Sequence, residues 1–314
     1  MKVLKVGSRG SALALRQTQM MVDAIERLNS GVECRIEVIK TTGDRILDIP
    51  LAKIGDKGLF VKEIEAALLA GEIDLAVHSA KDLPSEMDER LCVAAFPERE
   101  CPADALVSRC GKLMDIPAGA MIGTSSLRRR AQILAVRPDF QVVDLRGNLD
   151  TRLRKLDEGC CDAVILACAG LVRMGLQERI TEPLTYDVCL PAVGQGALAM
   201  QCRTGDAACG IVGKLDSPST RACVTAERAL LARLNGGCQV PVGALARIEG
   251  EQLVMNALVA GIDGGKIVRK SAMGPLSSPE KLGEMLAEEL LDSSAGELLE
   301  LARKSVGPKD IGAA

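Results

Sequence analysis

Three kinds of side chain in this sequence stand where they can do chemistry. The first is Cys238, in GGCQVP. It follows an apolar helix pattern ending RALLARLN, and the two glycines before it stop that helix and let the backbone approach another group closely. A loop thiol near basic residues can act as a nucleophile or as a point of covalent attachment. By pattern alone Cys238 reads equally as an inert loop cysteine. The second is Lys81 with Asp82 in HSAKDLP, directly after the buried-strand pattern IDLAV. A carboxylate at such a strand end can accept a ligand N–H or stabilise a cation formed in a reaction. The plainer alternative is an Asp in a turn before Pro84, paired with its lysine neighbour. The third kind is basic. Arg9 and Ser11 lie in GSRGS, Thr124, Ser125, Ser126, Arg128 and Arg129 in GTSSLRRR, and Arg146 and Arg152 in LRGNLDTRLRK. Each cluster follows a strand pattern and opens a helix pattern. Helix N-termini offer free N–H groups and a positive dipole end to anions, and arginine forks fit carboxylate or phosphate. Cations placed there oppose the dipole, so three clusters at matching positions point to a ligand with several negative groups. Any one of these arginines also reads as a solvated surface charge, and the clusters do not decide between phosphate and carboxylate.

The elements that must position these groups alternate. LKVGS, CRIEVIKTT and IDLAVHS read as strands, with ALALRQTQMMVDAIERL and VKEIEAALLAGE as helices between them. This βαβ alternation predicts a largely parallel sheet covered by helices. Residues 43–60, GDRILDIPLAKIGDKGLF, lack a clean period and read as a long loop over a site. A second α/β unit follows: MIGTSS, FQVVDLRGN and CDAVILACAGL as strands, LRRRAQILAVRP and LDTRLRKLDEG as helices. LPAVGQGALAMQCR leads the chain back toward the first unit. The last third opens with the helix SPSTRACVTAERALLARL, capped by Ser217 or Ser219, and continues as strands and the helix PEKLGEMLAEELL. VGQGALA loosely imitates a dinucleotide turn, but Pro191 interrupts the strand that should precede it.

Bulk properties exclude several classes. Aromatic residues make up 1% of the 314, too few for single-strand nucleic-acid binding on stacked platforms. A net charge of −3 supplies no general attraction to nucleic acid or anionic lipid. No apolar run is long enough to span a membrane, and the N-terminus lacks the pattern of a secretory signal. The twelve cysteines fall at irregular spacings, many in apolar runs, without a CxxC pair. They read as buried thiols in a reducing cytoplasm rather than as disulfides or zinc ligands. A single histidine, His78, weakens any His-based metal site, so no metal is expected.

Taken in order, GSRGSALAL, LAKIGDKGLFVKEIE, DLAVHSAKDLP, GTSSLRRR, LRGNLDTRL, ILACAGLVRMGL, LPAVGQGALA and TAERALLARLNGGCQVP resemble the porphobilinogen deaminase, or hydroxymethylbilane synthase, family along nearly the whole chain. The resemblance is diffuse after about residue 245. It implies an α/β fold of two periplasmic-binding-protein-like lobes plus a small α+β C-terminal domain. Residues 1–97 with 196–217 would form the first lobe, 98–195 the second, and 218–314 the domain carrying Cys238. It implies a monomeric cytoplasmic transferase that joins four porphobilinogen units head to tail, releasing ammonia, on a dipyrromethane held by a thioether to Cys238. Neither nucleic acid nor membrane is an implied partner. Asp82 takes the catalytic position. Lys81, Thr124, Ser126, Arg128, Arg129 and Arg146 match cofactor-binding positions with Asp82 and Cys238. Arg9, Ser11, Gln17, Lys53, Lys57, Phe60, Arg152, Arg173 and Gln195 match substrate-binding ones. Two rivals use the same residues differently: a two-lobed receptor for an anion, and an acyl-transfer enzyme pairing a cysteine with His78.

Overall fold

The computed structural model describes residues 2–45, 61–235 and 240–306. Lys53, Lys57, Phe60 and Cys238, with most of the 43–60 segment, therefore lie outside the described residues. Three sheets organise the rest. The first contains β1 (Lys2–Ser8), β2 (Val32–Val38), β3 (Leu75–Ser79), β4 (Leu91–Ala95) and β10 (Leu198–Arg203), in the order β2-β1-β3-β10-β4. The second contains β5 (Asp104–Ser108), β6 (Met121–Gly123), β7 (Gln141–Val143), β8 (Ala163–Ala167) and β9 (Glu182–Pro183), in the order β7-β6-β8-β5-β9. The third is an antiparallel meander of β11 (Val242–Glu249), β12 (Gln252–Ala260) and β13 (Ile267–Pro275).

The two five-stranded sheets share one pattern, largely parallel as the alternation predicts but with one strand reversed in each. In each, three strands joined through helices run parallel. The fourth runs antiparallel, β10 against β3 and β5 against β8. The reason is connectivity. β5 reaches its sheet along the segment that leaves β4, and β10 returns along the segment that leaves β9. Neither is part of a βαβ crossover, so nothing requires it to run parallel. Two lobes joined by two crossing segments follow directly.

The helices start where local chemistry dictates. Ser11 caps α1 (Ala12–Leu28), accepting from the Ala14 N–H at 3.3 Å, while Met21, Val22 and Ile25 bury against the first sheet. Beyond β2 come α2 (Thr42–Arg45) and α3 (Lys62–Leu69). Ser126 caps α4 (Leu127–Val136), and Asn148 caps α5 (Leu149–Asp157). CDAVILACAGL, expected as one strand, divides: β8 ends at Ala167 and α6 (Cys168–Arg173) begins at once. After β10 come α7 (Ala207–Val212) and α8 (Pro218–Arg233), the latter capped by Ser217 with Pro218 at its first position. Then α9 (Pro279–Leu290) and α10 (Gly296–Val306) cover the third sheet.

The two crossing segments touch. Gly196, at φ +86°, packs so closely that a Cβ there would lie 2.3 Å from the Glu100 carbonyl oxygen. Gly194, at φ +69°, would set a Cβ 3.1 Å from the Ala80 backbone, and these two contacts account for the glycines of VGQGALA without a nucleotide. Arg99 pairs with buried Glu227 of α8 at 2.6 Å and donates to the Gln195 carbonyl at 2.9 Å. Glu227 also accepts from Gly194 N–H at 2.7 Å and Ala246 N–H at 2.9 Å. A single carboxylate thus ties both crossings to the third sheet.

Candidate active site

The carboxyl ends of the parallel strands in both lobes face one cavity of about 740 Å³. In an open α/β sheet this is the end where loops and helix N-termini converge on a ligand. Among the described residues, its lining carries five arginines and three lysines (Arg9, Arg129, Arg146, Arg152, Arg173, Lys40, Lys81 and Lys155) against one carboxylate, Asp82. Asp82 ends the short helical turn Ala80–Asp82 that follows β3. Its side chain is 33% exposed and lies 3.7 Å from an Arg9 guanidinium nitrogen, too long for a strong hydrogen bond. The carboxylate therefore keeps accepting capacity toward the cavity.

Crowding of like charge marks the walls. Burial, helped by Arg129 and Arg146, pushes the Arg152 guanidinium down to about 10. Burial likewise takes Arg173 to about 10, with Glu100 pulling the other way. Lys81 is lowered by burial to about 8, against the pull of Asp82. These cations are held near one another by bonds to the backbone. Arg152 Nε donates to Gly147 O at 2.9 Å, Arg173 Nη2 to Gly196 O at 2.6 Å, and Lys155 Nζ to Arg146 O at 3.3 Å. An anionic ligand would relieve the repulsion, so its charge contributes to binding beyond simple pairing.

Behind the cavity wall lies a group that sequence reading missed. Asp104, fully buried at the start of β5, accepts from Arg128 Nη1 at 2.6 Å, from Arg129 Nη2 at 2.6 Å and Nε at 3.0 Å, and from Gln195 Nε2 at 2.9 Å. Burial raises its carboxyl, but Arg128 and Arg129 outweigh that and hold it well below the usual carboxylate range. One carboxylate offsets one of the two guanidinium charges, and Arg129 presents the remainder to the cavity. Arg128 does not line it; its other bonds go to Leu190 O at 2.7 Å and Cys189 Sγ at 3.5 Å. The available signal was an Asp opening an otherwise uncharged strand with an apolar centre, DALVS, where an unpaired charge would be costly.

The other residues singled out from the sequence divide between lining and support. Ser11, Gln17 and Arg146 line the cavity, as does Ser125. Thr124 Oγ1 accepts from the Ser126 N–H at 3.2 Å, and the Ser126 hydroxyl from the Arg129 N–H at 3.4 Å, so both hold the start of α4. Gln195 is buried behind the wall on Asp104 and the Pro102 carbonyl. Arg16, a position where some relatives of the resembled family carry an aromatic residue, reaches from α1 to the Arg173 carbonyl at 3.2 Å and so links the lobes at the cavity. His78 is buried, its Nε2 lies 3.0 Å from Gln201 Oε1, and burial lowers it to about 4. With its Nε2 engaged by an amide and its affinity for a proton lowered by burial, this imidazole is a weak general base, which counts against the acyl-transfer reading.

Comparison with known proteins decides the family. Residues 4–210 match the model described as porphobilinogen deaminase, dipyrromethane cofactor binding domain, and residues 221–292 match the C-terminal domain of the same enzyme. The chain belongs to the porphobilinogen deaminase family. A porphobilinogen deaminase from Desulforudis audaxviator is 54% identical, over 95% of this chain and 97% of the relative. One from Roseiflexus castenholzii is 53% identical, over 94% and 98%. Among solved structures, the substrate-binding domain of a putative molybdenum ABC transporter from Clostridium difficile aligns with a TM-score of 0.43 at 11% identity, covering 70% of this chain and 95% of that one. The family's dipyrromethane cofactor is a linear pair of pyrroles bearing several carboxylates. A cavity with many arginines and lysines around one carboxylate fits such a group. Among the described residues no helix is long and apolar enough to cross a membrane, and no group of side chains is arranged to hold a metal ion.

Proposed function

We propose that Asp82 is the catalytic carboxylate of this chain and that Cys238 holds its dipyrromethane through a thioether. The reaction is that of the family: head-to-tail joining of porphobilinogen to hydroxymethylbilane, with release of ammonia, a transferase step of tetrapyrrole biosynthesis. When bound, the dipyrromethane supplies the pyrrole carbon to which the first unit is joined. Loss of ammonia from porphobilinogen leaves an electron-poor ring with positive character on the pyrrole. Asp82, the single carboxylate among the described lining residues, is the group able to accept that ring's N–H and stabilise its charge. Arg9, Arg129, Arg146, Arg152, Arg173 and Lys81 hold acetate and propionate groups. Ser11 and Gln17 add neutral hydrogen bonds. Arg128, Thr124, Ser126 and Gln195 contribute by fixing Arg129 and the crossing segments. Lys53, Lys57 and Phe60 are assigned to substrate by the family's motif. The observation that carries this reading is the concentration of cations around one carboxylate.

In the same reading the chain divides into a first lobe of 1–97 with 196–217, a second of 98–195, and a C-terminal domain of 218–314. The enzyme is read as a cytoplasmic monomer, in keeping with eleven free cysteines among the described residues.

Intact-mass measurement of protein purified from cells able to make porphobilinogen tests the attachment. The expected mass exceeds that of the chain by two pyrrole units, and peptide mapping places them on Cys238. An unmodified mass, or an adduct on another cysteine, overturns it.

Lys81 gives the site a pH signature. Its cation is present below about pH 8 and lost above it, and with it one carboxylate contact. The expected kcat/KM profile therefore falls on its alkaline side with a midpoint near 8, and Lys81→Arg moves that fall to higher pH. A wild-type profile flat through this range removes Lys81 from substrate binding.

A further inference from the structure

The reaction assigns a role to one of the twelve cysteines. Three others meet at the far edge of the first lobe. Cys92 lies in β4, the edge strand of its sheet. Cys202 stands directly opposite it on β10. Cys209 lies in α7, which packs against both strands, and its Sγ is 3.7 Å from Cys92 Sγ. Cys92 and Cys209 are half-buried, whereas Cys202 is fully buried. The outer two thiols can therefore meet an oxidant from solvent.

We propose that Cys92 and Cys209 form an oxidative modification site, a dithiol that closes to a disulfide when a low-molecular-weight disulfide reaches it. One thiol, as thiolate, attacks a sulfur of the oxidant, forming a mixed disulfide and releasing one small thiol. The neighbouring thiol, on losing its proton, attacks the protein sulfur of that mixed disulfide and releases the second. Two protein thiols are oxidised by two electrons, and one disulfide is reduced to two thiols. The two sulfurs lie 3.7 Å apart, already in van der Waals contact. Burial and the Cys209 neighbour raise the Cys92 thiol, with Thr204 and Arg221 pulling it back. Closure is accordingly slow near neutrality and selective for a reagent that persists.

The positions suggest what the bond does. An edge strand is the part of a sheet held on one side alone, and Cys209 lies 117 residues further along the chain. A bond between them fastens that edge to α7 and closes a long loop, which restricts the unfolded chain strongly. Neither cysteine lines the active-site cavity, so closure hardens the fold and leaves turnover unchanged.

The test treats the holoenzyme with oxidised glutathione at mildly alkaline pH, alkylates remaining thiols and maps peptides without reduction. The expected product is a Cys92–Cys209 linked peptide, a thermal midpoint raised by about 5 °C and unaltered kcat. Cys92→Ser and Cys209→Ser each lose the linked peptide and the rise in midpoint while keeping native circular dichroism and kcat. Recovery of both cysteines as free thiols, or each as a separate glutathione adduct, overturns the proposal. A link from Cys209 to Cys202 overturns the assignment of Cys92. Should a single variant fail to fold, the peptide map and midpoint of the wild-type holoenzyme decide alone.

Discussion

Asp82→Asn is expected to lower kcat by about a hundredfold to a thousandfold, the effect typical of removing one electrostatic contact made to developing charge. The amide is the same size and still accepts a hydrogen bond through its oxygen, so the loss reports charge rather than shape. The fold should tolerate the change. Asp82 has an ion pair to Arg9 at 3.7 Å and a side chain one-third exposed, and such pairs contribute about 0–1 kcal/mol. Occupancy of Cys238 by the cofactor should remain high, since Asp82 is one contact among many cations. Steady-state turnover with intact mass on the same preparation separates these effects. A variant with near-normal kcat takes Asp82 out of the mechanism; a variant lacking the adduct shows that Asp82 acts in cofactor assembly instead.

Asp104→Asn is expected to destabilise the second lobe by about 3–5 kcal/mol, because it leaves Arg128 and Arg129 buried without their counter-charge. Both guanidinium groups are nearly inaccessible, at 6% and 7% side-chain exposure, so water does not replace the lost partner. Urea unfolding of the holoenzyme measures the change, and a loss under about 1 kcal/mol would refute the account. The pH dependence has a definite sign. A carboxyl held below its unfolded value stabilises fully above the unfolded pKa, near 4, and its contribution disappears as the pH falls from there through the depressed folded value. The wild-type protein should therefore lose stability on its acid side below about pH 4, and the variant should show less of that loss. The mutation also reaches the cavity. Asp104 helps keep Lys81 protonated, so the alkaline fall of kcat/KM in the variant should move below its wild-type midpoint.

These two carboxylates differ in how far the sequence disclosed them. Asp82 was legible because its placement is local: an apolar run ends, the chain turns before Pro84, and the side chain emerges at a strand end. The same holds for the starts of α1, α4, α5 and α8, where Ser11, Ser126, Asn148 and Ser217 cap residues three positions ahead. Short-range hydrogen bonds and apolar periodicity set these features, and both can be read along the chain. Cys238 differed again: pattern alone left it one loop thiol among several, and the family's motif singled it out.

What the sequence by itself determined was the alternating α/β character, the helix starts and the strand-end location of Arg9, Asp82, Arg129 and Arg146. What the tertiary structure decided was which charges share a space. Arg128 and Arg129 look alike in LRRR, yet one is enclosed with Asp104 and Leu190 while the other also reaches the cavity. Their partners lie 24 to 62 residues away in the chain. Those distances close because β5 and β10 enter their sheets from crossing segments, antiparallel to the strands they join. A buried charge is tolerated only beside its counter-charge, and which counter-charge arrives depends on where the chain crosses between lobes. Local pattern suggests the return through LPAVGQGALAMQCR but does not say which counter-charge the crossing delivers.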